Sequence, residues 1–209
     1  MIFETIVVGP LGVNCFILGD RESNEGVVVD PGADGDEVLA AVKRHGLKIK
    51  YVVNTHGHFD HVGANRQVVE ATGGELLIHP DDLTLLTMAS RSGQKYGLRV
   101  EDSPAPSGHL GDGTRLEFGA SSIQVLHTPG HTQGGCCLYL AGENLVITGD
   151  TLFAESVGRT DLPGGDHAQL IAAIKTKLMP LPDDTVVWPG HGPSSTIGRE
   201  RRTNPYLNE

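Results

Sequence analysis

Histidine and aspartate are concentrated in one stretch, Thr55 to His61, which reads Thr-His-Gly-His-Phe-Asp-His. Neutral imidazole and carboxylate are the ligand types that suit Zn²⁺, Fe²⁺ and Mn²⁺ in proteins. An extended His-x-His directs both imidazoles to one side of the chain, whereas the Asp-His pair that follows directs its ligands to a neighbouring point. The stretch therefore predicts metal binding, and two ions a few ångströms apart become plausible.

Three further ligand-type residues, His131, Asp150 and His191, lie downstream in glycine-containing turns. Short apolar runs precede them, at residues 123–126, 145–147 and 186–188. Such runs are typical of buried strands, so each side chain is expected at the carboxyl end of a strand, where α/β proteins commonly form sites. Taken singly, each fits a turn or capping residue as well as a ligand. Together with the first stretch they predict one composite site.

The composition fits one large or two fused small units with a substantial core. The chain has 209 residues, 38% of them hydrophobic, with 28 glycines and 12 prolines, which is typical of a loop-rich soluble α/β protein. We expect a single domain over residues 1–209. No apolar run is long enough to cross a bilayer, and Met1 to Val7 lacks the basic start and cleavage site of a signal peptide, so no membrane association is expected.

The net charge of −10 and the lack of a basic run disfavour a nucleic-acid partner. One cluster, Arg199, Arg201 and Arg202, is the exception; it fits a solvated or ion-paired segment, and alternatively a docking site for an anionic substrate or a partner subunit. Cys15 and the adjacent pair Cys136 and Cys137 lie in apolar runs, which predicts buried thiols and a reducing, cytoplasmic location.

Apolar periodicity and helix caps predict the elements that position the site. Strands are expected near 2–8, 13–18, 26–29, 51–54, 75–78, between 116 and 147, and at 185–188; helices are expected near 35–45, 63–71 and 167–178, the last capped by Asp166. The segment 81–106 is interpreted as a covering loop or lid that begins helical. Two strand-rich halves, each followed by helices, indicate two sheets packed face to face with helices outside.

With these residues in place, the chain resembles the metallo-β-lactamase superfamily, whose H-x-H-x-D-H motif is matched by His56, His58, Asp60 and His61. Within it, the chain is most similar to short glyoxalase II-like hydrolases. That similarity is carried by Asp30-Pro31-Gly32, Gly149 to Phe153, Gly158 to Asp161, Gly190 to Pro193, Thr196 to Glu200 and Asn204-Pro205. The resemblance implies an α/β fold, the four-layer αββα sandwich, with a dinuclear site at one end between the sheets.

The resemblance also implies a ligand set for two divalent metal ions. One ion would be held by His56, His58 and His131, and the second by Asp60, His61 and His191, with Asp150 bridging. Zinc is expected, with iron or manganese as the alternatives, because mixed imidazole and carboxylate ligands accept all three. Asp60 is the candidate catalytic residue, and Asp30 and Thr55 are expected to support the ligands from behind, as is His127 with less reason.

The implied activity is hydrolysis of a small acyl thioester such as S-lactoylglutathione by a metal-bridging hydroxide. Glyoxalase II enzymes bind glutathione through a C-terminal helical domain, which is not expected here because only residues 192–209 follow His191. Arg159 and Arg202 are the candidate substitutes for binding the glutathione carboxylates. Both a monomer and a homodimer are compatible with the sequence.

A second activity is compatible with the same residues. Persulfide dioxygenases also resemble this chain, including Gly158 to Asp161, and use one iron on two histidines and one aspartate, here His56, His131 and Asp150. The context of Gly190 to Pro193 favours the hydrolase. A nuclease would need a basic surface, and a β-lactamase would ordinarily be exported, so neither is expected.

Overall fold

The computed structural model of the protein describes residues 1–208. The strands are β1 (Ile2–Val8), β2 (Val13–Gly19), β3 (Glu25–Val29), β4 (Lys48–Val53), β5 (Glu75–Ile78), β6 (Gly108–His109), β7 (Arg115–Phe118), β8 (Ser121–His127), β9 (Cys136–Leu140), β10 (Leu145–Gly149), β11 (Leu152–Phe153), β12 (Ser156–Val157), β13 (Val186–Pro189) and β14 (Ser195–Thr196). The α-helices are α1 (Gly35–Arg44), α2 (Phe59–Val62), α3 (Asn65–Thr72), α4 (Leu83–Thr87), α5 (Ala89–Lys95), α6 (His167–Ala173) and α7 (Ile197–Thr203).

Two mixed sheets contain most of the strands. The first has the order β1-β2-β3-β4-β5-β6, antiparallel from β1 to β3 and parallel from β3 to β6. The second has the order β14-β13-β10-β9-β8-β7, in which the pair β10 and β13 is parallel and the other pairs are antiparallel. Strands β11 and β12 form a separate hairpin.

The two sheets face each other across a shared apolar core. Phe16, Val29 and Val53 from the first sheet pack in one cluster with Val125 and Ile147 from the second. Because side chains alternate between the faces of a strand, the neighbouring residues form separate apolar layers on the outer faces. Helices α1 and α3 cover the first sheet, while α6 and α7 cover the second. The predicted four-layer αββα sandwich is confirmed.

Most expected elements are present with small shifts at their ends. Asp166 begins α6 as predicted, because its Oδ1 accepts a hydrogen bond 2.9 Å long from the Gln169 amide. Strand β4 begins at Lys48, three residues before the expected start, and the helix expected at 63–71 is α3, preceded by the short helix α2. Helix α7 was not predicted, although Thr196 begins it with the same kind of cap.

The lid interpretation of segment 81–106 is correct only in part. It begins helical, as expected, with α4 and α5. Asp82, however, is fully buried, and Leu86 and Ala89 pack in an apolar cluster with Val62 and Ile78. The first half of the segment is therefore part of the packed interior.

Candidate metal centre

The candidate site lies at one end of the sandwich, where strands from both sheets finish. The stretch from His56 to His61 follows β4, His131 follows β8, Asp150 follows β10 directly, and His191 follows β13. The turn between β1 and β2 closes the same end, because Val13 pairs with His191 in an isolated antiparallel bridge. The sequence-predicted residues are thus brought together by the topology.

His56, His58 and His131 form the first ligand group, in which one nitrogen from each ring lies within 4.8 Å of the others. His131 Nε2 lies 2.9 Å from His58 Nδ1. The Nδ1 of His131 donates to the Arg159 carbonyl at 2.7 Å, so its Nε2 carries a lone pair. His56 Nδ1 lies 3.1 Å from the Thr55 hydroxyl, and its Nε2 is free to face the group. The three rings present nitrogens to a common point.

Asp60, His61 and His191 form the second ligand group, within the same 4.8 Å limit. The Nδ1 of His61 donates to Asp30 at 3.0 Å, and the Nδ1 of His191 donates to the Leu11 carbonyl at 3.0 Å. In the neutral state that binds metal, both Nε2 atoms would carry lone pairs, and they lie only 3.3 Å apart. Asp60 Oδ2 is 3.4 Å from His191 Nε2.

Asp150 lies between the two groups. Its Oδ1 is 3.5 Å from His61 Nε2 in the second group. Its Oδ2 is 3.6 Å from His131 Nε2 in the first group and 3.7 Å from His191 Nε2. One carboxylate thus contacts both groups.

Buried polar atoms without partners test whether these residues fit metal ions. His56 Nε2 and Asp150 Oδ1 are buried and have no hydrogen-bond partner among the described residues. Leaving such atoms unsatisfied is costly, and facing lone pairs repel each other, so the arrangement calls for cations between the rings. Imidazole and carboxylate donors suit zinc, iron and manganese. The residues therefore fit divalent metal ions in both groups.

The pKa values of the histidines agree with a site that attracts positive charge. Burial alone would lower the pKa of His61, but the carboxylates of Asp150 and Asp30 outweigh it and raise that pKa to about 9. Burial, followed by the charge of His131, lowers the pKa of His58 to about 3, which keeps its ring neutral. The carboxylates of the second group thus favour positive charge, which a divalent cation would supply in place of the His61 proton, while the neutral ring of His58 is already in the state that metal binding requires.

Asp30 and Thr55, the two predicted supporting residues, each contact a histidine of one group: Asp30 contacts His61, and Thr55 contacts His56. Asp30 is fully buried and accepts from the Thr55 amide at 2.7 Å, from the Thr55 hydroxyl at 2.6 Å and from His61. Since the Thr55 hydroxyl donates to Asp30, its oxygen can accept from His56 Nδ1. One carboxylate thereby orients a ring in each group.

Asp82 was not singled out by sequence reasoning. Its Oδ2 accepts from the Gly57 amide at 2.9 Å and from the Thr132 hydroxyl at 2.7 Å, while its Oδ1 accepts from the Gly134 amide at 2.7 Å. Gly57 separates the first two histidines, and Thr132 follows His131 directly. Asp82 thus links, through hydrogen bonds, the loop that contains His56 and His58 to the loop that contains His131. No sequence motif marks it, because its partners are mostly backbone groups distant in the chain.

The other predicted residues lie farther from the groups. The Arg159 side chain pairs with Asp161 at 2.7 Å, although its carbonyl contacts His131. Arg202 is exposed and lies 3.5 Å from Asp183; its contacts among the described residues include no member of either group. His127 stacks on His79, with ring centroids 4.1 Å apart, and contacts the Gln133 carbonyl.

Gly190 provides a test of the close packing around the second group. A Cβ atom at this position would lie 2.4 Å from Asp150 Oδ1 and 2.7 Å from His61 Cε1. We expect Gly190→Ala to displace both side chains and to lower activity at least about tenfold, since small errors in ligand placement are costly. Gly192→Ala is the matched control: it has φ +74° and open space around its Cβ, so it costs stability, about 1–2 kcal/mol, with little loss of activity. Equal activity loss in both variants would show that close packing at Gly190 does not position Asp150 and His61.

Comparison with known proteins agrees with this geometry. A family model described as the metallo-beta-lactamase superfamily matches residues 8–191. The chain belongs to the metallo-β-lactamase superfamily. It is 36% identical over 210 residues to hydroxyacylglutathione hydrolase GloC of Haemophilus influenzae, covering 100% of this chain and 99% of that protein. The chain is accordingly a metallohydrolase of this superfamily, similar to glyoxalase II-like proteins.

Solved structures of the superfamily are also similar. TTHA1623 in a di-iron-bound form has a TM-score of 0.90 and 42% identity, covering 98% of this chain and 100% of that one. The BLEG-1 B3 metallo-beta-lactamase has a TM-score of 0.92 and 35% identity, covering 100% of both chains. None of the helices within residues 1–208 has the length and apolarity needed to cross a membrane.

Proposed function

We propose that this metallohydrolase is a dinuclear thioesterase that cleaves small acyl thioesters, with glutathione thioesters such as S-lactoylglutathione as the first candidates. The observation that carries the proposal is Asp150, whose carboxylate contacts both ligand groups and keeps one buried oxygen without a partner. We assign His56, His58 and His131 to one ion, and Asp60, His61 and His191 to the other. Zinc is the expected metal, and the di-iron form of TTHA1623 makes iron the first alternative.

The bound ions would supply Lewis acidity, which polarises a carbonyl and makes water nucleophilic near neutral pH. The protein's part is to position groups. Asp30 and the carbonyls of Arg159 and Leu11 fix the Nδ1 protons of three histidines, so that the opposite nitrogens face the centre. The Asp60 side chain, partly exposed on the side of the second group, would accept a hydrogen bond from the attacking water and orient it.

The choice of a thioester follows from the leaving group. A thiol has a pKa near 8.5, so a thiolate departs without a proton donor, whereas an amide nitrogen must be protonated. The basic groups around the centre are mainly imidazoles whose lone pairs are directed at the ligand groups. Thioester cleavage is therefore the acyl-transfer reaction that needs no separate proton donor for its leaving group. The similarity to hydroxyacylglutathione hydrolase GloC supports the same choice.

Hydrolysis of S-lactoylglutathione by protein loaded with zinc or iron is the direct test. We expect turnover, and we expect Asp60→Asn to reduce kcat by about a hundredfold or more, since a group that orients or deprotonates a nucleophile contributes at that level. Asp102→Asn, an exposed carboxylate on the segment after α5, is the matched control and should retain activity. Equal turnover of the wild type and Asp60→Asn would contradict the assigned role of Asp60.

Two other substrates distinguish the competing reactions. Oxygen uptake with glutathione persulfide, in the absence of thioester turnover, would favour the mononuclear iron dioxygenase built on His56, His131 and Asp150. Hydrolysis of a β-lactam without thioester turnover would favour the activity in the name of the BLEG-1 enzyme. Either result would replace the thioesterase proposal.

A further inference from the structure

A cavity of about 340 Å³ adjoins the second ligand group, and no step of the proposed reaction uses it. It lies between the turn joining β1 to β2 and the segment 98–101, and Asp60 is part of its wall. Its volume is at the lower end of the range found for small-molecule sites. Because Asp60 belongs to the ligand group as well, the cavity opens beside the reacting centre.

The walls of this cavity are mixed, with somewhat more apolar than polar surface. Apolar lining residues include Leu11, Phe59, Ala64, Leu98 and Val100. Polar lining groups are mostly engaged within the protein: the Asp34 carboxylate accepts from the Gly9 amide at 2.8 Å, and the Gln67 amide donates to Asp36 at 2.6 Å. The charged lining residues are Asp34, Asp60, Arg99 and Glu101, so three carboxylates accompany one guanidinium. The cavity thus offers burial of apolar surface together with an excess of carboxylates, which disfavours the anionic glutathione part of a substrate here.

Exposed apolar side chains mark the same place. Leu11 retains 47% of its surface exposed and lines the cavity. Tyr96 retains 61% and stacks on the cavity residue Phe59, with ring centroids 5.2 Å apart. Solvent-exposed clusters of large apolar side chains beside a site are typical of ligand-binding surfaces. An apolar ligand that entered the cavity would cover Leu11 and contact Phe59, on which Tyr96 stacks.

We propose, resting on the thioesterase function above, that this cavity binds the acyl part of the substrate and that the preferred acyl group is an apolar chain or ring larger than lactoyl. The apolar lining residues, Leu11, Phe59 and Leu98 among them, would contact a longer apolar chain over more surface than the short lactoyl group offers. The thiol part of the substrate would then extend toward the first ligand group, where Arg159 contacts His131 through its carbonyl. The two ends of the substrate are thus recognised on opposite sides of Asp150.

Binding of inert analogues, in which a CH₂ group replaces the thioester sulfur, tests the cavity without turnover. In a series from acetyl to octanoyl with the glutathione part kept constant, affinity measured by calorimetry should rise about fourfold per methylene until the cavity is full. The kcat/KM of the matching thioesters should rise in parallel. Affinity that is flat or falls with chain length would overturn the acyl cavity, even if every thioester is hydrolysed.

Leu98→Trp tests the location by filling the cavity from segment 98–101. We expect it to abolish the gain for octanoyl over acetyl, both in analogue affinity and in kcat/KM. Val7→Ser is the matched control, because Val7 is exposed on β1 next to the same turn but lies outside the cavity wall, and it should leave the chain-length profile unchanged. A full octanoyl preference in Leu98→Trp would overturn the proposed location. If the analogues bind tightly and their affinity rises with chain length, but no thioester is hydrolysed, the acyl-binding role of the cavity stands and the proposed thioesterase activity is wrong.

Discussion

Asp150→Ala is expected to lower kcat at least about a thousandfold and to reduce the bound metal from two ions to one or fewer per chain. The carboxylate contacts His61 on one side and His131 on the other, so its removal takes a donor from both ligand groups at once. A metal ion contributes several kcal/mol to charge stabilisation in the transition state, and 1.4 kcal/mol corresponds to about tenfold in rate. Metal content by elemental analysis and steady-state kinetics on the same samples measure both effects.

The matched control for Asp150→Ala is Glu143→Ala, which removes an exposed carboxylate from the turn before β10. It should retain both ions and full activity. Asp150→Glu adds a second comparison, because it keeps the charge but moves the oxygens. Two bound ions together with activity within tenfold of wild type in Asp150→Ala would exclude the bridging position.

Asp82→Asn is expected to destabilise the fold by about 2–4 kcal/mol and to weaken metal binding at the first group. A buried carboxylate that accepts three hydrogen bonds loses charge-assisted bonds, and an amide nitrogen must then face a donor. Gly57 and Thr132 would no longer be fastened together, so the His56-to-His58 loop and the His131 loop could separate. Chemical denaturation of the metal-free protein measures the first effect, and competition with a chelator measures the second.

Asp81→Asn is the control for Asp82→Asn, since Asp81 precedes it in the chain and its side chain is 58% exposed. It should change stability by less than about 0.5 kcal/mol, as is usual for exposed positions. An Asp82→Asn variant as stable as Asp81→Asn, with unchanged metal affinity, would show that the three hydrogen bonds do not hold the loops together.

The sandwich and the composite site were predictable from local pattern. Short β-branched runs ahead of His131, Asp150 and His191 indicate strands, and strands that finish at one end of a sandwich bring their following turns together. The His-x-His stretch after β4 adds a ligand density that core packing does not produce. Asp30 was predictable for a related reason, because an aspartate at a strand end can orient a ligand imidazole.

The remaining features depend on contacts between distant segments. Asp82 and Asp81 are chemically identical neighbours, and only the approach of the Gly57 and Gly134 amides distinguishes them. The cavity likewise needs the β1–β2 turn and segment 98–101 to meet, although 86 residues or more separate Leu11 from that segment. Such approaches are set by tertiary packing, which periodicity and capping signals do not encode.

In the turn between β1 and β2, Leu11 contacts both the second ligand group and the cavity. Its carbonyl accepts the Nδ1 proton of His191, and its side chain stands at the cavity beside Asp60. A ligand that ordered the side chain would also restrict the carbonyl, and thermodynamic linkage would then require the influence to run equally in both directions. Binding at the proposed acyl cavity and metal binding at the second ligand group would therefore be coupled through one peptide unit, and we expect the metallated and the metal-free protein to differ in their affinity for the same apolar ligand.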